Sequence, residues 1–274
     1  MTTCISNLQS NLHIINNKLN NATMLDNNLP DTLRKSPHIE SKGFCSWICS
    51  LFNYLTGTFG EKLSCSKLNI TLDSIFNQAN GWKTDSTFEY GGTIQTAWRS
   101  KQVGGTTYLV TAPAHDLPDE NTVQAQLSGG RSAARTLSET KDIYSNAYLK
   151  VLIPIAQSNT LGCFGPRGHF VLLEVTINDG NIQSAQLHDS KTGLIDTFYD
   201  GAEHLTKQLK TYDSLSLSED FFVTTEHRGE QSLFNGNDCG RYTAYYANKI
   251  TNEGNLSNAN TAGARSFFES HFTK

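Results

Sequence analysis
The amino-acid sequence predicts an α+β domain folded around a central mixed sheet. Three observations predict it. Two dense runs of β-branched and other apolar residues, "YLKVLIPIA" from residue 148 and "HFVLLEVTI" from residue 169, read as buried strands, and "NIQSAQLHDS" from residue 181 reads as a third. The turn "NDGN" at 178–181 folds the second and third back on each other as a hairpin. Beyond the hairpin the texture alternates: "GAEHLTKQLKTY" has helical periodicity, "DFFVTTE" reads as a strand, and 239–250 as a long helix.

A chain of 274 residues, 37% hydrophobic and 18% charged, is long enough to bury a sizeable core and polar enough to be soluble. Its net charge of −4 leaves no bulk basic field for nucleic acid, and Arg131 and Arg135 are expected as isolated, solvated surface charges. Six cysteines (Cys4, Cys45, Cys49, Cys65, Cys163, Cys239) are scattered, with no C-x-x-C pair and no flanking cluster of metal ligands. A chain of this length can stabilise itself through its core, so a disulfide framework is not expected, and neither is a structural zinc. The thiols are read as reduced. No basic stretch followed by an apolar run opens the chain, so no cleavable signal peptide is expected.

Residues 1–70 are expected to form a mainly helical accessory region. The first thirty residues hold eight Asn, yet Leu8, Leu12, Ile15 and Leu19 form one helical stripe, which suits a short docked helix or a frayed tail. Pro30 and Pro37 mark a break. Residues 43–60 carry no charge, and Phe44, Trp47, Ile48, Leu51, Phe52 and Leu55 recur at helical spacing beside Cys45 and Cys49. This segment is either a membrane-lying or acylated helix, or a buried helix of the accessory region. Ser46, Ser50, Asn53, Thr56 and Gly57 interrupt it and no polybasic flank supports an anchor, so the buried helix is preferred.

Residues 71–146, the first part of a main domain spanning 71–274, are turn-rich. Three Gly-Gly pairs separate short apolar pieces, and no phosphate-binding glycine pattern is present. "APAHDLPDEN" contains two prolines, so His115 is expected in a surface loop. The chemistry is expected in 147–252.

Cys239 is the residue that needs explaining. In "FNGNDCGRYTAYYANKI", Cys239, Tyr242, Thr243, Tyr246, Ala247 and Ile250 share one helical face, and Asn237 or Asp238 stands at the N-cap. A cysteine beginning a helix meets unpaired amides and the positive end of the macrodipole, both of which favour a thiolate. Gly240 leaves the approach to the sulfur uncrowded. His169 opens one strand of the predicted hairpin and Asp189 closes the other. A tight hairpin therefore makes neighbours of two side chains 20 residues apart. His188 points to the opposite face and is the poorer partner. Gln231 supplies an amide that can join the Cys239 N–H in holding an oxyanion.

At these residues the chain resembles the clan CE cysteine peptidases, the ubiquitin-like-protein proteases together with bacterial effector deubiquitinases of the SseL and ElaD type. The matching stretches are "GHFVLLEV" with His169, "LHDS" with Asp189, and "QSLFNGNDCG" with Gln231 and Cys239. The resemblance covers residues 147–252. It implies a papain-like or adenain-like fold with a catalytic helix, and 71–274 as the catalytic domain. It also implies a monomer without cofactor that cleaves isopeptide bonds at the C-terminus of ubiquitin or a ubiquitin-like protein. Two departures stand out. Phe170 replaces the tryptophan that helps form the channel for the modifier's tail, and Gln231 stands eight residues before the cysteine, in a longer loop than the family's. Phe170 and Gly240 are the substrate-binding residues implied. The likeness to bacterial effectors further implies delivery into a host cytoplasm. Alternatives are a YopJ-like acetyltransferase using the same cysteine, a SUMO- or NEDD8-directed protease, and an inactive module that only binds modifier tails.

Overall fold
The computed structural model describes residues 59–60, 63–90, 93–116, 131–144, 148–157, 169–191, 201–231, 235 and 237–272. The two helices expected within 1–58 lie outside the described residues. The chain divides into two compact units, residues 1–58 and 59–274.

The second unit is α+β. In order it contains α1 (Cys65–Ile75), β1 (Lys83–Tyr90), β2 (Thr93–Val103), β3 (Thr106–Thr111), β4 (Ala114–His115), α2 (Ala133–Ile143), β5 (Tyr148–Gln157), β6 (His169–Asn178), β7 (Asn181–Asp189), α3 (Gly201–Lys210), β8 (Thr224–His227), α4 (Cys239–Glu253) and α5 (Thr261–His271). The strands form one sheet of order β1-β2-β3-β5-β6-β7-β8, with β4 pairing β5 at the side. β3 and β5, β4 and β5, and β7 and β8 run parallel, and the other neighbours are antiparallel, so the sheet is mixed as expected.

The predicted hairpin is present. Asp179 and Gly180 take positive φ (48° and 71°), the backbone that a two-residue turn between twisted strands needs, and a register shift between Thr176 and Ile177 then brings Leu172 opposite His188. Alternation along these strands gives the sheet two apolar faces. Phe170 and Leu172 face a core closed by Leu68 and Leu72 of α1, Tyr242 and Tyr246 of α4, and Phe267 and Phe268 of α5. Val171, Leu173, Val175, Ala185 and Leu187 face the other core, with Leu137 of α2 and Leu205 and Leu209 of α3. Each face buries apolar side chains fully, which is why β5 and β6 read as continuous apolar runs.

Several expectations are corrected here. The turn-rich region 71–146 holds four strands of the sheet (β1–β4) and α2, with the Gly104-Gly105 pair closing the β2–β3 hairpin at positive φ. The junction drawn after residue 70 falls inside α1, whose Leu68 and Leu72 are fully buried in the core of the 59–274 unit. His115 is fully buried, because the segment after β3 continues along β5 as β4 instead of looping outward. Arg131 is not a solvated charge: its guanidinium pairs with Glu139 and lies over the rings of Phe88 and Trp98.

Candidate active site
The site forms at one end of the sheet, where β6 begins, β7 ends and α4 begins. His169, the first residue of β6, points its Nε2 at Asp189 Oδ1, 2.8 Å away. That oxygen also accepts the Lys191 backbone N–H at 2.9 Å, while the Asp189 carbonyl accepts from Arg228 N at 2.8 Å. The carboxylate is thus fixed from its own chain and from the segment beyond β8. His227, opposite Asp189 on β8, lies 3.9 Å from its other oxygen.

Burial pulls the His169 pKa down, but the charge and hydrogen bond of Asp189, with a hydrogen bond and charge from Cys239, raise it to about 9. Burial conversely pushes Asp189 up, and the charge and hydrogen bond of His169 outweigh it, holding the carboxyl below its ordinary value. With Nε2 committed to Asp189, the ring nitrogen left for the thiol is Nδ1, which is buried without a hydrogen bond of regular geometry. Cys239 is buried at the first position of α4. The three residues singled out from the sequence therefore meet.

Gln231 comes to the same place. Its backbone N–H donates to Ser190 O at 2.8 Å, the Ser190 hydroxyl donates to its Oε1 at 2.5 Å, and its Nε2 donates to Asn235 O at 2.5 Å. The amide is fully buried and its orientation is determined by these partners. Phe170 is nearly buried beneath the helix start. A Cβ built on Gly240 would stand 3.3 Å from the Phe170 ring and 3.4 Å from Leu63, so the missing side chain lets the ring and Leu63 close on the helix. His188 faces away, as expected, bonded on both nitrogens by Glu174 and Glu226 at 2.9 Å.

The turn before α4 was only partly legible. Asn235 organises it: its Oδ1 accepts the Asn237 and Asp238 backbone amides, both at 3.2 Å, and its Nδ2 donates to Asp238 Oδ2 at 2.7 Å. Asp238 is the N-cap residue, but its side chain does not cap. Glu230 holds the incoming segment to α4, its carbonyl accepting from Tyr242 at 2.9 Å and its carboxylate from Tyr246 at 2.6 Å. Asn235 carries no signal beyond turn propensity, its bonds all falling within 231–238, and Glu230 carries none because its partners lie on α4.

No protein-family model matches this chain, and no curated protein matches its sequence. Its fold is similar to that of the Legionella pneumophila effector protein RavZ. Two RavZ crystal structures align with TM-scores of 0.51 and 0.50, at 16% and 17% identity, over 78% of this chain and 62% and 63% of theirs. A third, RavZ in complex with human LC3B, gives 0.46 at 15% identity, over 76% of this chain and 55% of that one. The chain thus spans a little under two thirds of the RavZ chains it matches. It has the α+β fold of the RavZ effector.

Proposed function
We propose that this protein is a cysteine protease that cleaves the bond after the C-terminal glycine of ubiquitin or a ubiquitin-like protein, as a bacterial effector acting in a host cytoplasm. The observation that carries this reading is the meeting of Cys239, His169 and Asp189 at the head of α4. A structural cysteine has no need of a histidine whose second nitrogen is held by a buried carboxylate. The effector assignment draws on the RavZ fold and the motif resemblance.

In this reading Asp189 keeps the Nε2 proton in place and sustains the imidazolium, while Nδ1 exchanges a proton with Cys239. The thiolate attacks the glycine carbonyl and forms the C–S bond. The resulting oxyanion is held by the Cys239 N–H and by Gln231, whose Nε2 has a second N–H besides the one given to Asn235. Collapse breaks the C–N bond as Nδ1–H protonates the leaving lysine amine. Water, deprotonated by the same nitrogen, then frees the modifier's carboxylate. Ser190 acts through Gln231, by fixing its amide.

The test is a panel of C-terminal electrophile probes made on ubiquitin, SUMO, NEDD8 and LC3B, followed by isopeptide-linked conjugates of whichever modifier labels. Labelling at Cys239 and cleavage are expected. Cys239→Ala and His169→Ala are expected to abolish turnover, and Gln231→Ala to reduce kcat by on the order of 10²-fold. Failure of every modifier to label Cys239 in the folded protein rules the reading out, and acetyl transfer from acetyl-CoA onto Cys239 assigns the transferase chemistry instead.

A further inference from the structure
Four helix starts have their N-cap residue described, and one differs from the rest. Ser64, Ser132 and Asn260 precede α1, α2 and α5 in extended backbone (ψ 164°, 154° and 167°), and each side chain accepts a first-turn amide, from Lys67, Arg135 and Gly263. Asp238, among the best capping residue types, precedes α4 with ψ 0° and makes no such bond. An aspartate in that place ordinarily folds its carboxylate over the N2 and N3 amides. Here that would cover the amides beside Cys239 with a negative charge.

The carboxylate is instead drawn off by three donors. Arg241 Nη1 reaches Oδ1 at 2.8 Å, while Asn235 Nδ2 and the Phe59 backbone N–H reach Oδ2 at 2.7 and 2.6 Å. Arg241 is itself held fast. Its guanidinium lies between the rings of Phe59 and Phe272, 5.7 and 5.5 Å from their centroids, its side chain is 7% exposed, and a Cβ on Gly60 would stand 2.9 Å from Nη2. An ion pair at i,i+3 on a surface helix is worth little, but this one is buried and sandwiched, with its geometry imposed by a segment nearly 180 residues away in the chain.

We propose that Arg241 is a positioning residue for Cys239. With Asn235 and the Phe59 N–H it holds the Asp238 carboxylate away from the start of α4, leaving the first-turn amides to the thiolate and to the substrate's oxyanion. The inference rests on the nucleophilic role of Cys239. The charged groups around that sulfur are His169 and Asp189 from the hairpin and Asp238 and Arg241 from its own helix. Removal of the guanidinium takes away the one charged donor of the three and leaves Oδ1 unheld. That oxygen can then turn to the first-turn amides and set its charge beside the sulfur, while Oδ2 keeps Asn235 and the Phe59 N–H.

The experiment follows iodoacetamide alkylation of the Cys239 peptide by mass spectrometry across pH, with amide hydrogen exchange at residues 240 and 241. Arg241→Met keeps an apolar stem between the two rings, and Arg241→Gln takes its place if that variant does not fold. The pH of half-maximal alkylation is expected to move up by about one unit, and the rate at pH 7 to fall about tenfold, by the like-charge effect on the thiolate. Exchange at 240 and 241 is expected to slow as the carboxylate caps them. Asp238→Asn combined with Arg241→Met should return the alkylation profile toward wild type, and Arg241→Lys should stay near it. An unshifted profile with unchanged exchange in Arg241→Met, or no recovery in the double variant, overturns the proposal. Wild-type protein that cleaves no modifier while these shifts appear sinks the protease reading and leaves this inference standing. Cleavage by wild type with no shift does the reverse.

Discussion
At the scale of single residues, the His169–Asp189 pair sets how the molecule responds to pH. The folded His169 pKa is raised from 6.5 to about 9, so its stabilising contribution is complete below pH 6.5 and is lost as pH rises through about 9. Asp189 has the opposite sign: its folded pKa lies below 3.8, so its contribution is present above pH 3.8 and is lost as pH falls through the lowered value. Thermal melts are therefore expected to plateau between pH 3.8 and 6.5 as far as this pair is concerned, and to decline toward pH 9. Asp189→Asn removes the main group raising His169, so the alkaline decline should flatten. In the proposed reaction the same protonated imidazole supplies the leaving group's proton, so kcat/KM should fall on an alkaline limb near pH 9 that Asp189→Asn moves to lower pH. An alkaline limb that stays put in Asp189→Asn would assign it to another group. The pair was legible in the sequence as far as strand order and turn put both residues at one end of the hairpin; the bulge between Thr176 and Ile177 that sets their register was not. Arg131 and His115 were not, because what covers them comes from strands and helices far along the chain.

At the scale of elements, α4 does three things: it buries its aromatic face, it starts with Cys239, and it admits close neighbours at its second residue. Gly240 is required for the last. Gly240→Ala forces the Phe170 ring or Leu63 back by a few tenths of an ångström in a filled core. Such overpacking is expected to cost about 1–3 kcal/mol in denaturant unfolding. It should also slow Cys239 alkylation, because the shift falls at the helix start. A variant with unchanged stability would mean that Leu63 moves freely and that the segment before α1 does not press on the site. The helical periodicity of 239–250 was readable from the sequence, but the orientation of its N-cap was not. Capping rules expect Asp238 to bond its own helix, and three tertiary donors override them.

At the scale of the whole molecule, one sheet separates two cores, and the site sits where the face covered by α1, α4 and α5 meets the end of the β6–β7 hairpin. Residues 59–75 belong to this architecture: Phe59 bonds Asp238, Leu63 touches Gly240, and Leu68 and Leu72 are fully buried. A chain beginning at residue 58 is therefore expected to unfold cooperatively near the full-length midpoint. One beginning at residue 71, the junction suggested by composition, loses two buried leucines, each worth about 2–5 kcal/mol, and should fail to fold. Equal melting of the two fragments would show that α1 is dispensable.

The sequence by itself determined the mixed sheet, the hairpin, and the cysteine at a helix start, because strand alternation, turn chemistry and helical period are local properties. It also put His169 and Asp189 at the same end of the hairpin, but the register that lets them meet is set by a bulge between Thr176 and Ile177 that moves the pairing by one residue. Only the tertiary structure decided which face of the sheet α4 covers, that α1, Phe59 and Leu63 join the same core, and that Asp238 turns away from the helix it begins. Those outcomes depend on packing and charge between segments separated by much of the chain, and no local pattern carries that energy.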